Sequence, residues 1–247
     1  MCRMIFAAGQ LKVNWLIDDM IKMASNKNEK HEENTNFEFL HSDGWGITYL
    51  AGNNLKTFRS IKPIYDDPQI EQFKKLNTNL IVLHARKATY GKLNLANIHP
   101  FEYQNQNSNF VFFHNGTVRD KLQINPKYTI NGETDSEKFF YYLLSGNPEE
   151  LTSEGLQNKL INLKNFSGAN FVLTNGDHSY IADWYTLNPA YYSMKMLNQK
   201  NAIIISSEVL PHYRQAAWQL LENFSLVSIR THDLAIRKKV LSLNSIE

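Results

Sequence analysis

Ten stretches of this 247-residue chain are strand-sized and apolar, and they run along its whole length. They fall at Cys2–Ala7, Gly46–Leu50, Lys56–Ser60, Leu80–His84, Phe110–Phe113, Asn170–Thr174, Ser179–Tyr185, Ala190–Met196, Ala202–Ser206 and Phe224–Arg230. Each is rich in β-branched or aromatic residues or alternates apolar with polar ones, the period of a pleated strand. Helical spacing is confined to Trp15–Ala24, Pro68–Leu76, Thr134–Ser145 and Leu156–Leu163. Many strands around a few helices, in mixed order, predict an α+β layered architecture. No internal repeat and no Pro/Gly linker divides the chain, so residues 1–247 are expected to form a single domain. The polar run Ser25–Asn36 (SNKNEKHEENTN) lacks periodicity and is expected to be an exposed, mobile excursion.

Hydrophobic residues make up 43% of the sequence, enough for a core without disulfide staples. The single cysteine has no internal partner, which fits a reducing compartment. The N-terminal stretch lacks a basic region followed by a long apolar run, and no segment reaches the roughly 18 apolar residues of a membrane span. The expectation is a soluble cytoplasmic protein that binds no membrane. The 26 basic and 24 acidic residues nearly balance, leaving +2, and the basic residues are scattered, which argues against nucleic acid as a partner.

The lone cysteine is Cys2, in MCRMIF. Trimming of Met1 would leave a thiol and a free α-amine on one residue. An α-amine of pKa about 7.7–8.0 is partly unprotonated at neutral pH and can take up the thiol proton. The alternative is an inert thiol at a frayed terminus. In HSDGWGI, Gly44 and Gly46 permit a close backbone approach or a bulge, or simply a turn into a strand. HARKATYG places Arg86 and Thr89 after a strand, a cation and a hydroxyl suited to a carboxylate, or else to a surface ion pair and a turn. In HNG, Asn115–Gly116 reads either as a hairpin turn or as two donors aimed at one developing oxyanion. GETDSE opens the clearest helix: Thr134 and Glu137 have capping-box spacing, and Asp135 in the first turn could cap or face a ligand amine. His41, His84, His99 and His114 lie beside these motifs but lack metal-site spacing, so satisfied structural histidines and no metal or other cofactor are expected.

Taken in order, Cys2, HSDGWGI, HARKATYG, NIHPF, HNG and GETDSE resemble the class II glutamine amidotransferase domain of the N-terminal nucleophile hydrolases, in its stand-alone form. The later SSEVL (Ser206–Leu210) resembles that family's late strand-and-turn element. The resemblance implies a four-layer αββα sandwich of two mostly antiparallel sheets. It implies that Cys2, freed of Met1, is the nucleophile, with Asn115 and Gly116 as the oxyanion hole. It further implies that Arg86 and Thr89 hold the carboxylate end of glutamine and Asp135 its α-amine. The implied reaction is hydrolysis of the γ-amide through a thioester, releasing glutamate. With the sequence ending at Glu247, no synthase domain is expected. Either a separate enzyme accepts the ammonia, or the substrate is a γ-glutamyl amide or thiol conjugate with a larger leaving amine. The aromatic C-terminal third (Trp184, Tyr185, Tyr191, Tyr192, Trp218) is expected to supply second-sheet core.

Overall fold

A computed structural model describes residues 2–29, 39–106 and 108–241. Met1 and residues 30–36 of the expected excursion lie outside the described residues. The strands in chain order are β1 (Arg3–Gly9), β2 (Trp45–Ala51), β3 (Asn54–Ser60), β4 (Leu80–Ala85), β5 (Phe101–Gln104), β6 (Asn109–Val118) and β7 (Phe166–Thr174). They continue with β8 (His178–Asp183), β9 (Lys195–Gln199), β10 (Ala202–Ser206), β11 (Gln219–Leu220), β12 (Ser225–Arg230) and β13 (Ile236–Val240). The α-helices are α1 (Val13–Ala24), α2 (Asp135–Leu144), α3 (Ser153–Ile161) and the single turn α4 (Pro189–Tyr192). Among the described residues the strands form a seven-stranded sheet, order β11-β9-β10-β1-β4-β2-β3, and a six-stranded sheet, order β13-β12-β8-β7-β6-β5. Every strand pair in both is antiparallel.

The expected α+β sandwich of four layers follows from how the strands bury both faces. On β1, Ile5 and Ala7 pack against Leu16, Ile17 and Met20 of α1, while Met4, Phe6 and Ala8 face the second sheet. Across that interior layer they meet Val111 and Phe113 of β6, Val172 of β7 and Ile181 of β8. The other side of the second sheet carries α2 and α3, with Phe139, Phe140, Leu143, Leu156 and Leu160 packed on Phe112, Phe171 and Leu173. Period-2 alternation sends successive side chains to opposite faces. Cys2 is therefore on the interior side with Met4, and Asn115 is on it with Phe113.

Local signals held at several points. Thr134 caps α2, its hydroxyl accepting the Glu137 N–H at 3.3 Å. Glu137 does not complete a capping box. Its carboxylate instead accepts the N–H groups of Asn131 at 2.9 Å and Gly132 at 2.6 Å, tying down the turn before the helix. Gly46 is a close-approach glycine: a Cβ there would sit 1.9 Å from the His99 carbonyl oxygen.

Other expectations need correcting. Asn115–Gly116 is not a hairpin turn, because β6 runs straight through it to Val118. Ala190–Met196 is not one strand: Asn188 turns the chain at φ 50°, Pro189 fixes the first residue of α4, and β9 starts only at Lys195. Pro68–Leu76 forms a 3-10 turn over Pro68–Phe73, capped by Asp67. The short or charged strands β5, β11 and β13 carry too little apolar pattern to be predicted. The start of the Ser25–Asn36 run is pinned, since Asn28 Nδ2 donates to Glu208 at 2.8 Å and Glu29 pairs with Lys195 at 3.2 Å.

Two glycines separate space from propensity. Gly46→Ala is expected to destabilise by about 1–3 kcal/mol, because backbone rather than a flexible side chain must move. Gly155→Ala in α3 meets nothing closer than 3.4 Å and is expected to be neutral or stabilising by up to about 1 kcal/mol. Urea unfolding midpoints of the two variants check the contrast.

Candidate active site

The end of the interior layer nearest Cys2 is polar. The Cys2 N–H donates to Asn115 Oδ1 at 2.7 Å, joining the residue before β1 in one sheet to β6 in the other. Using the oxygen this way orients the amide, and Asn115 Nδ2 has no hydrogen-bond partner among the described residues. Both residues are buried, Cys2 at 7% exposure and Asn115 at 1%. Beside them Gly116 lies so close to β7 that a Cβ would be 1.8 Å from the Gly168 oxygen. Gly168 in turn would strike the Tyr192 ring, at 2.6 Å. Absence of side chains at these two positions lets Tyr192 lie down next to the Asn115–Gly116 segment.

The Cys2 thiol is shifted down to about 6 from an ordinary 9.0. Burial pushes it up. The charge of the His84 imidazole and of the chain's amino terminus, with the Lys87 backbone N–H, more than offsets this by favouring the thiolate. His84 sits opposite Met4 in the β1–β4 register and donates from Nε2 to the His114 carbonyl at 3.2 Å. His99 stacks on His84 with ring centroids 4.2 Å apart. Burial keeps His99 neutral, its pKa well below the usual range. Neither ring nitrogen of His99 has a partner among the described residues, so it is not the satisfied histidine expected. His114 is satisfied, by Ser136 Oγ at 2.8 Å and the Gly168 oxygen at 3.2 Å, and burial lowers its pKa to about 4. Among the described residues no three His, Cys, Asp or Glu side chains are placed to hold a metal ion.

Arg86 is no surface ion-pair residue. It is 3% exposed, and its guanidinium donates to the carbonyls of Tyr90 at 2.9 Å and Asp43 at 3.5 Å. No acidic side chain pairs with it among the described residues. Thr89 Oγ1 lies 3.4 Å from Thr117 Oγ1. Asp135, at the start of α2, accepts the Val118 N–H at 2.8 Å. A cleft of about 450 Å³ is lined by Thr89, Tyr90, Thr117, Val118, Asp135, Ser167 and Tyr192, among others.

The structure thus groups the sequence-predicted residues in two sets. Thr89 and Asp135 line the cleft, whereas Cys2 and Asn115 touch each other and are not among its lining residues. Gly116, next to Thr117, connects the sets, and Arg86 stands at the cleft edge through its bond to the Tyr90 carbonyl. Tyr192 belongs to both: burial raises its pKa, and among the smaller influences the Cys2 and Asp135 charges add to that rise. Sequence reading took Tyr192 and Tyr191 for sheet core and left His84 as a bystander. Only the strand register could have found His84, by pairing it with the residue two beyond Cys2.

Comparison with known proteins shows the family. Residues 11–187 match the family model of class-II glutamine amidotransferases, and the chain belongs to that family. The matched span contains Arg86, Thr89, Asn115, Gly116 and Asp135 and leaves Cys2 outside it. A Haemophilus influenzae protein named "Putative glutamine amidotransferase" is 33% identical over 56% of this chain and 50% of its own length. The Escherichia coli protein YafJ, of the same description, is 35% identical over 42% of each chain. The chain thus spans about half or less of these curated relatives. Glutamine PRPP amidotransferase of B. subtilis superposes with a TM-score of 0.70 at 16% identity, over 98% of this chain and 50% of that one. A glutamine aminotransferase class-II domain protein of Silicibacter pomeroyi superposes with a TM-score of 0.62 at 16% identity, over 97% and 100%. At such identities the likeness is one of fold, that of the N-terminal nucleophile hydrolases. No helix among the described residues is long and apolar enough to cross a membrane.

The thiolate is the reactive form, so alkylation of Cys2 should rise with pH through about 6 and level off above it. His84→Asn, which removes the largest lowering influence, is expected to move the midpoint upward. Iodoacetamide labelling at several pH values, read by intact mass, checks both.

Proposed function

We propose that this chain hydrolyses the γ-amide of glutamine, with Cys2 as nucleophile once Met1 has been removed. The observation that carries the reading is the 2.7 Å bond from the Cys2 nitrogen to Asn115 Oδ1. It turns the Asn115 oxygen toward Cys2 and leaves the amide N–H₂ without a hydrogen-bond partner among the described residues, which supports Asn115 and its neighbour Gly116 as the two donors to an oxyanion. The lowered thiol pKa supports the nucleophile role. The buried Arg86, lacking an acidic partner among the described residues, supports binding of the substrate carboxylate, with Thr89 beside it. Asp135 on the cleft wall supports binding of the α-ammonium.

The steps follow from these placements. The free α-amine of Cys2 takes the thiol proton, and the thiolate attacks the γ-carbonyl carbon. Asn115 Nδ2 and the Gly116 N–H stabilise the tetrahedral oxyanion. The protonated amine returns its proton to the departing nitrogen, ammonia leaves, and a γ-glutamyl thioester remains. Water, deprotonated by the same amine, hydrolyses the thioester to glutamate and regenerates the thiol. The ammonia goes to solvent or to a separate acceptor enzyme.

A second reading shares this machinery and differs in the leaving group. The cleft of about 450 Å³ falls within the roughly 300–1,000 Å³ of small-molecule sites. A cleft of that size supports substrates larger than free glutamine, such as γ-glutamyl amides, peptides or thiol conjugates.

Glutamate release from glutamine and from a panel of γ-glutamyl amides separates the two readings. Cys2→Ala is expected to abolish turnover of every substrate, and equal activity in that variant would sink the nucleophile assignment. Asn115→Ala should lower kcat by about 10²–10³ while KM changes little. Intact mass of active enzyme should lack Met1.

A further inference from the structure

Cys2 lies just beyond the ladder of its own strand. β1 pairs with β4 from Arg3 onward and with β10 from Ile5 onward. Ser207 extends the β10 side by one step, donating its N–H to the Met4 oxygen and accepting the Met4 N–H on Oγ, both at 3.0 Å. Among the described residues, the main chain of Cys2 has two hydrogen bonds. One is from its nitrogen to Asn115. The other is to its carbonyl oxygen, from the Tyr191 hydroxyl at 3.1 Å. In the reaction proposed above the nitrogen must gain and lose protons. The carbonyl bond is the restraint that the chemistry leaves untouched.

We infer that Tyr191 is a positioning residue for the nucleophile, its hydroxyl holding the Cys2 carbonyl so that the thiol keeps its angle of attack. This rests on the assignment of Cys2 as nucleophile. Tyr191 is 3% exposed and is held from three sides. Its hydroxyl proton goes to Cys2, so its oxygen accepts from His41 Nε2, at 3.2 Å. That direction requires a hydrogen on Nε2 of His41. Burial, with the nearby Arg3 charge, keeps the imidazole neutral. The two bonds run head to tail, and each polarises the other. On the ring face the Arg3 guanidinium stands 4.3 Å from the centroid. Arg3, itself 1% exposed, forms an ion pair with Glu208 at 2.5 Å. Glu208 also accepts from Asn28 Nδ2 at 2.8 Å and the Glu29 N–H at 3.1 Å. His41 of HSDGWGI and Glu208 of SSEVL are not among the residues that line the cleft. Their place is in the scaffold that keeps Tyr191 on Cys2.

Tyr191→Phe deletes one hydroxyl and keeps the ring under Arg3. It is expected to lower kcat on glutamine about tenfold, the loss of one hydrogen bond in the transition state, with KM unchanged within about twofold. The midpoint of the Cys2 alkylation profile should not move. A chloroketone shaped like glutamine should label Cys2 about tenfold more slowly relative to iodoacetamide, a ratio that needs no turnover. A wild-type kcat together with a wild-type labelling ratio overturns the inference, as does a loss carried by KM alone. Should Tyr191→Phe fail to fold, His41→Gln and His41→Leu carry the test. Gln keeps an N–H donor and should recover most of the activity that Leu loses; equal activity and equal labelling ratios in the two overturn it. Failure of the nucleophile assignment looks different: Cys2→Ala would then retain turnover whatever residue stands at 191.

Discussion

The bond between the Cys2 nitrogen and Asn115 Oδ1 joins the two sheets at the point where their shared interior turns from apolar to polar. Its direction follows from covalent chemistry. A backbone or terminal nitrogen presents hydrogens, so the Asn115 amide must turn its oxygen toward Cys2 and its nitrogen away. Orientation of the site is thereby built into the contact that closes the sandwich. The bond also requires β6 to stay extended past Phe113, and that requires Gly116, whose Cβ would overlap the Gly168 oxygen.

Behind this contact the second sheet continues the polar row. Asn115 faces Asn170 across the β6–β7 pair, and Asn170 donates to Asp183 at 3.1 Å and to the Tyr192 carbonyl at 2.6 Å. The Asn170 oxygen accepts the Trp184 N–H at 2.7 Å, so the whole amide is satisfied. Asp183, fully buried, has its pKa held well above the usual carboxylate range by burial, and it accepts the Met194 N–H at 3.2 Å. Buried polar groups of this kind are costly unless hydrogen-bonded. Here their partners are the backbone around Tyr192 and Met194, so satisfying them fixes the segment that forms the cleft wall. The buried Arg3–Glu208 pair has the same character. Burying such a pair gains little net stability, but leaving one partner alone is expensive, which ties Tyr191, Glu208 and the 28–29 segment to one arrangement.

Much of the fold was legible because its signals are local. Alternation on β1, the cap at Thr134 and the strands β4 and β10 are each decided within a few residues. The strand expected at Ala190–Met196 failed for a tertiary reason. Tyr191 and Tyr192 are both buried, which mimics core strand, yet they are consecutive residues of one helical turn with different partners, Cys2 and Gly168. β13 was hidden because an edge strand bearing Arg237, Lys238 and Lys239 shows no apolar face. Arg86, Thr89, Asn115, Gly116 and Asp135 stood out as site candidates by chemistry and order. His84, Tyr191 and Tyr192, which the fold brings to Cys2 or the cleft, did not, since a lone histidine or tyrosine in an apolar stretch carries no local sign of its distant partners.

By itself the sequence determined which segments bury two faces, where α2 begins, and which side chains have the chemistry to bind or attack. It also determined the family, through motifs that are ambiguous singly and specific in order. Tertiary structure alone decided that Asn115, 113 residues away, accepts from the Cys2 nitrogen and that Tyr191, 189 residues away, donates to its carbonyl. The reason is range. Backbone propensity, capping and alternation act over a few residues, whereas the groups that meet at Cys2 are set by the register of two sheets and the packing between them.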